Sequence, residues 1–390
     1  MRFVYISDLD IRGSGYRNIS LPICEGLAKR GHVVKVIGLG YNNEEHFFPF
    51  SMLPARNFRE AVGTLSNISN YWQGGIDFCI VSFDVPVQIG HFLPNLHNRQ
   101  FKYVSIVPIE SDPLMMSWAM SMQEIDKVFA ISRFGADEAN KVGIPASYIP
   151  IGIDSESWAI PEDDVKQKLR KNYGYNEDSF IVFTNADNQE RKLLSRSMEI
   201  FADFLYDYEN VDLKTVRREG LQPKHDAHYI MLTRPNLPVG WNLYDYAQYL
   251  GINKHFTVFE RGLEFKKLWS LYAISDVHLL ASQAEGLGLP VLESMATGVI
   301  NLGTNCGGIK EQIGDDRGYL IDYDYTYVNP FGNNTRYMAS RLDGYKKLKN
   351  IFKNKDKDLI KRAREYAESM TWDNTVDVLE DSLLGMVDEE

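Results

Sequence analysis

The sequence has few cysteines, no long apolar run and no charged-then-apolar leader. Its three cysteines, Cys24, Cys79 and Cys306, show no pairing pattern among 390 residues, so we expect reduced thiols and a cytoplasmic setting. No apolar stretch approaches the roughly 20 residues that cross a bilayer. The first residues, MRFVYISDLD, pass directly into a strand pattern without a signal peptide. We therefore expect no transmembrane segment.

Basic charge is also scarce, since 42 Lys and Arg stand against 53 Asp and Glu for a net charge of −11. This balance argues against a general binder of nucleic acids or anionic membranes. Two local basic runs, at 214–225 and 346–362, are typical of solvated surfaces. The first run keeps nucleic acid as a minority interpretation.

Metal-binding patterns are missing as well. The eight histidines show no metal-ligand spacing such as HExxH. The triplets DLD at 8–10 and DYD at 322–324 are short matches that an acidic chain produces by chance. The sequence therefore predicts no essential metal and no cofactor.

What the sequence does contain is two successive series of short apolar runs separated by helical patterns. The first series indicates a doubly wound α/β domain, and its runs lie at RFVYIS, HVVKVIGLG, FCIVSF, YVSIVPI, KVFAIS and SYIPIGI. A second series begins at FIVFTNA and continues through AHYIMLT, HFTVFE, DVHLLAS, VINLGT and GYLIDY. We predict domains at 1–155 and 156–370, a hinge near 155–175, and a helical tail at 371–390. Two such domains are expected to face each other across a ligand-binding cleft at the carboxyl ends of their strands.

The stretch ASQAEGLGLPVLESMATG at 281–298 carries most of the chemical signal. It follows a predicted strand, and Pro290 is well placed to begin a helix. Glycines at Gly286 and Gly288 allow a ligand close to the backbone, and a helix N-terminus favours anions. A diphosphate over this loop fits that pattern, with Glu293 accepting hydrogen bonds from a ribose diol and Glu285 from a sugar hydroxyl. The alternative is a plain loop with two surface glutamates.

The longer segment from LWSLYAISDV through the Glu-x7-Glu loop to CGGIKEQIGD resembles the signature of retaining glycosyltransferases with the GT-B fold, family GT4. Its last element is Gly307, Gly308 and Glu311. YIPIGIDSESW resembles the interdomain P-x-G-x-D element, and MTWDNT resembles part of the terminal helices that cross back to the first domain. The resemblance implies two Rossmann-like domains, with the acceptor on the first and the nucleotide-sugar on the second.

The resemblance also implies a set of site residues. The proposed catalytic residues are Glu285, Arg191, Lys192 and Glu110, and the proposed donor-binding residues are Gly13, Gly15, Gly286, Leu287, Gly288, Leu289, Glu293 and Glu311. Arg191 and Lys192 would meet the diphosphate, or would simply form the polar first turn of an amphipathic helix. Gly13 and Gly15 belong to a glycine-rich loop after the first strand, or to a plain turn.

Two departures from the family pattern concern catalysis. The arginine expected near Ala186–Asp187 is absent, and Arg191 is a candidate substitute. The family histidine after a first-domain strand is also absent from SIVPIESDP, where Glu110 or Asp112 takes its approximate position. A carboxylate there would bind a hydroxyl group or stabilise positive charge on the sugar ring, or would cap the following helix.

The resulting hypothesis is a retaining, metal-independent transfer of a sugar from a nucleotide-diphosphate-sugar to an acceptor hydroxyl. The acceptor is a glycan, a glycolipid, a protein or a small molecule, and the oligomeric state is open. Two alternatives remain: an enzyme similar to nucleotide-sugar 2-epimerases, and a sugar-nucleotide or glycan-binding protein without catalysis. The Glu-x7-Glu element favours transfer over epimerisation.

Overall fold

The computed structural model describes residues 1–11, 14–110, 112–330 and 334–388. These residues divide into two compact units. One unit comprises Met1–Gly152, Pro330–Asn334 and Met370–Glu390, and the other comprises Ile153–Asn329 and Thr335–Ser369. The division of the chain thus lies between Gly152 and Ile153, and the tail from Met370 groups with the first unit.

The first unit is built on a parallel sheet, for which seven strands are present among the described residues. They are β1 (Arg2–Asp8), β2 (Val33–Leu39), β3 (Ser51–Ala55), β4 (Phe78–Ser82), β5 (Lys102–Val107), β6 (Lys127–Ala130) and β7 (Ala146–Tyr148), in the spatial order β3-β2-β1-β4-β5-β6-β7. The intervening helices are α1 (Gly15–Lys29), α2 (Phe58–Tyr71), α3 (Val85–Val87), α4 (Met116–Met122) and α5 (Arg133–Lys141). The central residues of β1 are buried without alternation, because helices cover both faces of a parallel sheet.

The sequence patterns missed one strand of this sheet and overextended another. β3 contains Pro54 and lies at the sheet edge, where a residue without an N–H group is tolerated. Its short, Pro-containing sequence gave no strand signal. β7 ends at Tyr148 rather than continuing through 153, and Pro150 lies in the irregular segment that follows.

The second unit repeats the design with a six-stranded parallel sheet in its described part. Its strands are β8 (Phe180–Asn185), β9 (Ala227–Thr233), β10 (Phe256–Glu260), β11 (Val277–Leu280), β12 (Ile300–Thr304) and β13 (Tyr319–Ile321), in the order β10-β9-β8-β11-β12-β13. The strands β14 (Tyr323–Asn329) and β15 (Asn334–Ala339) form a separate two-stranded sheet that the sequence patterns did not predict. The helices are α6 (Asp163–Asn172), α7 (Leu194–Tyr206), α8 (Leu213–Glu219), α9 (Leu243–Leu250), α10 (Phe265–Ile274), α11 (Leu289–Ala296), α12 (Gly307–Ile313), α13 (Arg341–Lys353) and α14 (Lys357–Ser369).

The last helix, α15 (Trp372–Asp388), packs on α1 within the first unit. Arg30 Nη1 donates a 2.8 Å hydrogen bond to Glu380, and His32 Nε2 lies 2.6 Å from the other carboxylate oxygen. Gly152 lies directly against the backbone of Trp372, since a Cβ atom built on it would be 2.4 Å from the Trp372 nitrogen. Along the described chain, no helix combines the length and apolar character needed to cross a bilayer.

Candidate functional site

One cluster of charged side chains in the second unit surrounds Glu285, in the loop between β11 and α11. Glu285 is 4% exposed. Its carboxylate is ion-paired with Lys192, accepts a 3.3 Å hydrogen bond from Arg191 Nη1, and accepts a 2.8 Å bond from Ser282 Oγ. Burial alone would raise the pKa of Glu285, but Lys192 and Arg191 outweigh it and lower that pKa to about 2. Glu285 is therefore ionised at neutral pH.

Arg191 and Lys192 reach Glu285 from a short helical turn, Glu190–Lys192, that precedes α7. The interpretation that they form the first turn of that amphipathic helix is therefore wrong, because α7 begins at Leu194 after a left-handed residue with φ of 47° at Leu193. The Gln283 amide donates a 2.7 Å hydrogen bond to the Arg191 carbonyl. This contact aligns the two loops and brings both cations to the glutamate.

The glycine loop 286–288 is held against α12 by close backbone packing. The Gly308 amide donates a 2.8 Å hydrogen bond to the Glu285 carbonyl. A Cβ atom on Gly308 would lie 2.6 Å from the Gly286 oxygen, and one on Gly307 would lie 2.5 Å from the Glu285 oxygen. The Gly-Gly pair thus permits an approach that side chains would block.

Leu287, Gly288 and Leu289 connect this loop to the helix. The Gln312 side-chain amide donates to the carbonyls of Leu287 and Gly288. Gly288 has φ of 87°, a conformation that glycine adopts without steric cost, and Leu289 is the first residue of α11. Glu311 is half-buried on α12, and its carbonyl accepts a hydrogen bond from Arg317.

Glu293 lies on α11 and is buried in a polar cluster. The helix begins at Leu289, so Glu293 begins its second turn. The Tyr272 hydroxyl donates a 2.6 Å hydrogen bond to its carboxylate, and Asn185 Nδ2 donates a longer bond of 3.3 Å. Burial raises the pKa of Glu293, against opposing contributions from Tyr272 and Arg261. The carboxylate therefore faces protein donors at the carboxyl end of β8.

A second charged cluster follows the ends of β8, β9 and β10, and the sequence patterns did not identify it. Asp187, after β8, accepts hydrogen bonds of 2.9 and 2.5 Å from Nε and Nη2 of Arg234. Nη1 of Arg261 lies 3.0 Å from the same carboxylate. Although burial opposes them, the two guanidinium groups lower the pKa of Asp187. The one signal in the sequence was that Arg234 and Arg261 each come directly after a predicted strand.

Asn188 positions this second cluster by clamping the loop after β9. Its side-chain amide donates a 2.8 Å bond to the Trp241 carbonyl, while its oxygen accepts a 2.9 Å bond from the Trp241 amide. Gly240 packs so closely on Asn188 that a Cβ atom would lie 2.4 Å from Nδ2. The residue beside Asp187 therefore fixes the path of the chain that carries Arg234.

The site residues that the sequence predicts in the first unit are Gly13, Gly15 and Glu110, with Asp112 as the alternative to Glu110. Gly13 lies outside the described residues. Gly15 begins α1, with Ser14 as the N-cap, so it is not part of a loop as expected. Glu110 is half-buried in the irregular segment after β5. Asp112 does not cap the following helix, because α4 begins at Met116 with Met115 at the N-cap.

Among the described residues, no group of three or more His, Cys, Asp or Glu side chains is arranged to hold a metal ion.

The second unit brings together Glu285, Arg191, Lys192 and the 286–289 loop, with Glu293 on the adjoining helix. Sequence reasoning missed Tyr272, Asn185, Asp187, Arg234 and Arg261, because their roles depend on contacts between different strand ends.

Comparison with known proteins finds a family match within the second unit. Residues 239–325 match the model of the family glycosyl transferases group 1. A stretch of 53 residues is 51% identical to N-acetyl-alpha-D-glucosaminyl L-malate synthase of Bacillus anthracis. That match covers 13% of this chain and only 14% of the relative's length.

Solved structures match the fold over the whole chain. Sucrose-phosphate synthase from Thermosynechococcus elongatus has a TM-score of 0.76 at 13% identity, covering 100% of both chains. A glycosyltransferase from Rickettsia africae has a TM-score of 0.75 at 14% identity, covering 100% of this chain and 99% of its own. HepE from Anabaena, solved with UDP and glucose, has a TM-score of 0.74 at 12% identity, covering 99% and 100%. The protein therefore has the GT-B fold with two Rossmann-like units, and residues 239–325 of its second unit match the model of the glycosyl transferases group 1 family.

Proposed function

We propose that this protein is a glycosyltransferase that moves a sugar from a nucleotide-diphosphate-sugar to an acceptor hydroxyl, with retention of anomeric configuration and without an essential metal. The observation that carries the proposal is the Glu285 cluster at the glycine loop. Lys192 and Arg191 bring two positive charges to the Glu285 carboxylate, beside the half-buried residues at which α11 begins.

The diphosphate is the part of the donor that this cluster suits. Its negative charge grows as the bond to the sugar breaks, and prearranged cations stabilise such charge in a water-poor site. Arg191 and Lys192 are held by Glu285 and by backbone bonds before any ligand arrives. Little reorganisation is then required when the leaving group forms.

Glu285 is proposed to act as an ionised carboxylate and not as a proton donor. With its pKa lowered to about 2 by Lys192 and Arg191 against the opposing effect of burial, it holds no proton at neutral pH. It would accept a hydrogen bond from a sugar hydroxyl and stabilise positive charge on the ring. In a retaining reaction of this kind, the acceptor attacks on the face that the nucleotide leaves, and the leaving phosphate takes the acceptor's proton.

The other predicted site residues are assigned roles toward the donor, the sugar ring or the acceptor. Glu293 is proposed to accept hydrogen bonds from the ribose diol, with Glu311 and residues 286–289 lining the donor. Glu110 of the first unit is proposed to bind a hydroxyl group or to stabilise positive charge on the sugar ring, and Gly15 is proposed to lie near the donor. The acceptor is a glycan, a glycolipid, a protein or a small molecule. The uridine nucleotide in the HepE structure makes UDP-sugars the first donors to test.

The test is a thermal-shift panel of UDP-, GDP-, ADP- and dTDP-sugars on the wild type, Glu293→Gln and the matched control Glu209→Gln, whose glutamate is exposed. A ligand at about 100 times its Kd adds roughly 2.7 kcal/mol to the stability of the folded state. We expect one nucleotide series to shift the wild type and the control clearly more than it shifts Glu293→Gln.

Chemistry is then tested by incubating that donor with acceptor panels in the presence of EDTA and following the anomeric signal of the product by NMR. We expect a product with retained configuration at an unchanged rate with the chelator. An epimerised nucleotide-sugar formed without an acceptor, or the absence of any nucleotide-sugar binding, would contradict the proposal.

A further inference from the structure

In the second charged cluster, Arg234 and Arg261 share the carboxylate of Asp187 unequally. Arg234 engages Asp187 as a fork, with Nε and Nη2 on the two carboxylate oxygens. Arg261 places Nη1 3.0 Å from an oxygen that Arg234 already uses. One carboxylate thus faces two guanidinium groups.

Arg261 has more hydrogen-bonding capacity than Asp187 satisfies. A guanidinium group carries five N–H donors in a fixed plane, and within the described parts of the chain its side chain makes a single ion-pair contact, that to Asp187. The side chain is 21% exposed. The N–H groups that Asp187 does not use are available to an anion, because hydrogen bonds from a guanidinium to a charged acceptor are strong.

The position of Arg261 connects the cluster to the glutamate on α11. Its charge lies close enough to Glu293 and Tyr272 to lower the pKa of both, although burial raises each of them more strongly. Asn185, at the end of β8, donates to that same glutamate. Arg261 follows β10, and Asn185 ends β8 of the same parallel sheet, so both lie at its carboxyl edge.

The strand order gives the spacing between the two charged clusters. Arg261 follows β10 and Arg234 follows β9, whereas the Glu285 cluster lies between the ends of β8 and β11. Neighbouring strands are about 4.8 Å apart. Both clusters thus lie at the carboxyl edge of one sheet.

We propose that Arg261 is a phosphate-binding residue of the donor site and that Asp187 orients it. Arg234 acts as a positioning residue, because its two hydrogen bonds hold the Asp187 carboxylate in place. This inference rests on the proposed function for the identity of the natural ligand. The ligand chemistry is a phosphate oxygen pair, which a planar guanidinium binds in a bidentate manner.

The experiment is isothermal titration of wild type, Arg261→Gln, Arg261→Lys and the control Arg217→Gln with inorganic pyrophosphate. The same proteins are titrated with the nucleoside, nucleoside monophosphate and nucleoside diphosphate of the base found in the donor panel. Arg217 is exposed on α8, so its substitution reports the loss of one charge alone. Thermal unfolding without ligand checks that each variant is folded.

We expect Arg261→Gln to weaken pyrophosphate, monophosphate and diphosphate binding about 10- to 100-fold, the range typical of a lost charge-assisted contact. Nucleoside affinity should change less than about twofold on the same scale. Arg261→Lys should recover part of the loss, because it keeps the charge but not the fork. If Arg261→Gln unfolds, Arg261→Lys takes its place in the test, and the proposal then requires that it bind pyrophosphate less tightly than wild type.

Other outcomes separate this inference from the proposed function. Unchanged pyrophosphate and diphosphate binding by Arg261→Gln overturns the role of Arg261 while leaving donor binding intact. An equal loss for the nucleoside overturns phosphate recognition as well. If wild type binds pyrophosphate through Arg261 but no nucleotide-sugar, the proposed function fails and the phosphate site stands. Failure of wild type to bind pyrophosphate or any nucleotide overturns both.

Discussion

The backbone amide of Gly308 donates a 2.8 Å hydrogen bond to the carbonyl oxygen of Glu285. This bond joins the first turn of α12 to the loop after β11, at the residue whose carboxylate pairs with Lys192 and Arg191. The contact is short because Gly308 has no side chain, and the neighbouring atoms are backbone atoms of Gly286 and Leu287. The position of the Glu285 carboxylate therefore depends on a glycine that is distant in sequence.

We predict that Gly308→Ala destabilises the second unit and displaces this loop. The added Cβ atom would lie 2.6 Å from the Gly286 oxygen and 2.6 Å from the Leu287 Cα atom, and backbone atoms cannot rotate away. Overpacking of this kind costs about 1–3 kcal/mol. Thermal unfolding should show the loss of stability, and donor affinity should fall with it.

The matched control for that variant is Gly63→Ala, in the middle of α2, where a Cβ atom would meet nothing within 4 Å. Replacing a glycine inside a helix by alanine stabilises it by about 0.5–1 kcal/mol. The two variants should thus change the melting temperature in opposite directions. A neutral Gly308→Ala would show that the loop is not constrained by this contact.

Glu293→Gln should separate stability from ligand binding. Burial raises the pKa of Glu293, so the folded state holds the proton more tightly than the unfolded state does. That preference stabilises the fold below the unfolded pKa of about 4.3 and is lost as pH rises through the folded pKa, where the ionised form is costly to bury. The stability of Glu293→Gln relative to wild type should therefore increase between pH 4 and pH 7, measured by urea unfolding across that range.

Glu293→Gln should also weaken donor binding, although its stability relative to wild type increases with pH. The introduced amide still accepts from Tyr272, but its NH2 group replaces one carboxylate oxygen and cannot accept from a ribose diol, so binding should weaken by about 10-fold, as for a lost hydrogen bond. A pH-independent stability difference would contradict the burial of an ionisable group at this position.

Lys192→Gln should reduce kcat/KM by about 10²–10³, the usual cost of removing one prearranged charge from a transition state. Lys266→Gln, an exposed lysine on α10, is the control and should leave kcat/KM within about twofold, since exposed charges contribute little. The measurement is initial-rate kinetics with the donor found in the panel. Equal effects of the two variants would exclude a specific role for Lys192.

The same variant should change the acid response of Glu285. In the wild type, Lys192 and Arg191 overcome the effect of burial and hold the pKa of Glu285 at about 2. Their stabilising contribution is present above the unfolded pKa of about 4.3 and is lost as pH falls through about 2. In Lys192→Gln the folded pKa rises, so the acid-induced loss of stability should begin at higher pH. Denaturation by acid, followed by circular dichroism, tests this order.

Gly152→Ala should weaken the attachment of the last helix within the first unit. The new Cβ atom would lie 2.4 Å from the Trp372 nitrogen and 2.6 Å from the Thr371 carbonyl carbon, both backbone atoms. We expect a loss of about 1–3 kcal/mol and faster proteolysis near the start of α15. Unaltered proteolysis and stability would show that the helix tolerates a displaced backbone there.

The sequence predicted more of the strands than of the site. Apolar runs such as FIVFTNA located β8 because a strand covered on both faces must be apolar throughout. β3 escaped notice since Pro54 and an edge position remove that signal. The pair β14 and β15 also escaped, because its exposed tyrosines and charged residues do not form an apolar run.

The sequence by itself determined the two α/β units, the glycine loop and the helix that starts beside it, because local periodicity and backbone conformation depend on neighbouring residues. Only the tertiary structure decided which charges meet. Glu285 finds Lys192 across 93 positions, and Asp187 finds Arg234 across 47. Such pairs are set by which strand ends lie side by side in the folded sheet, and no local pattern in the chain records that order.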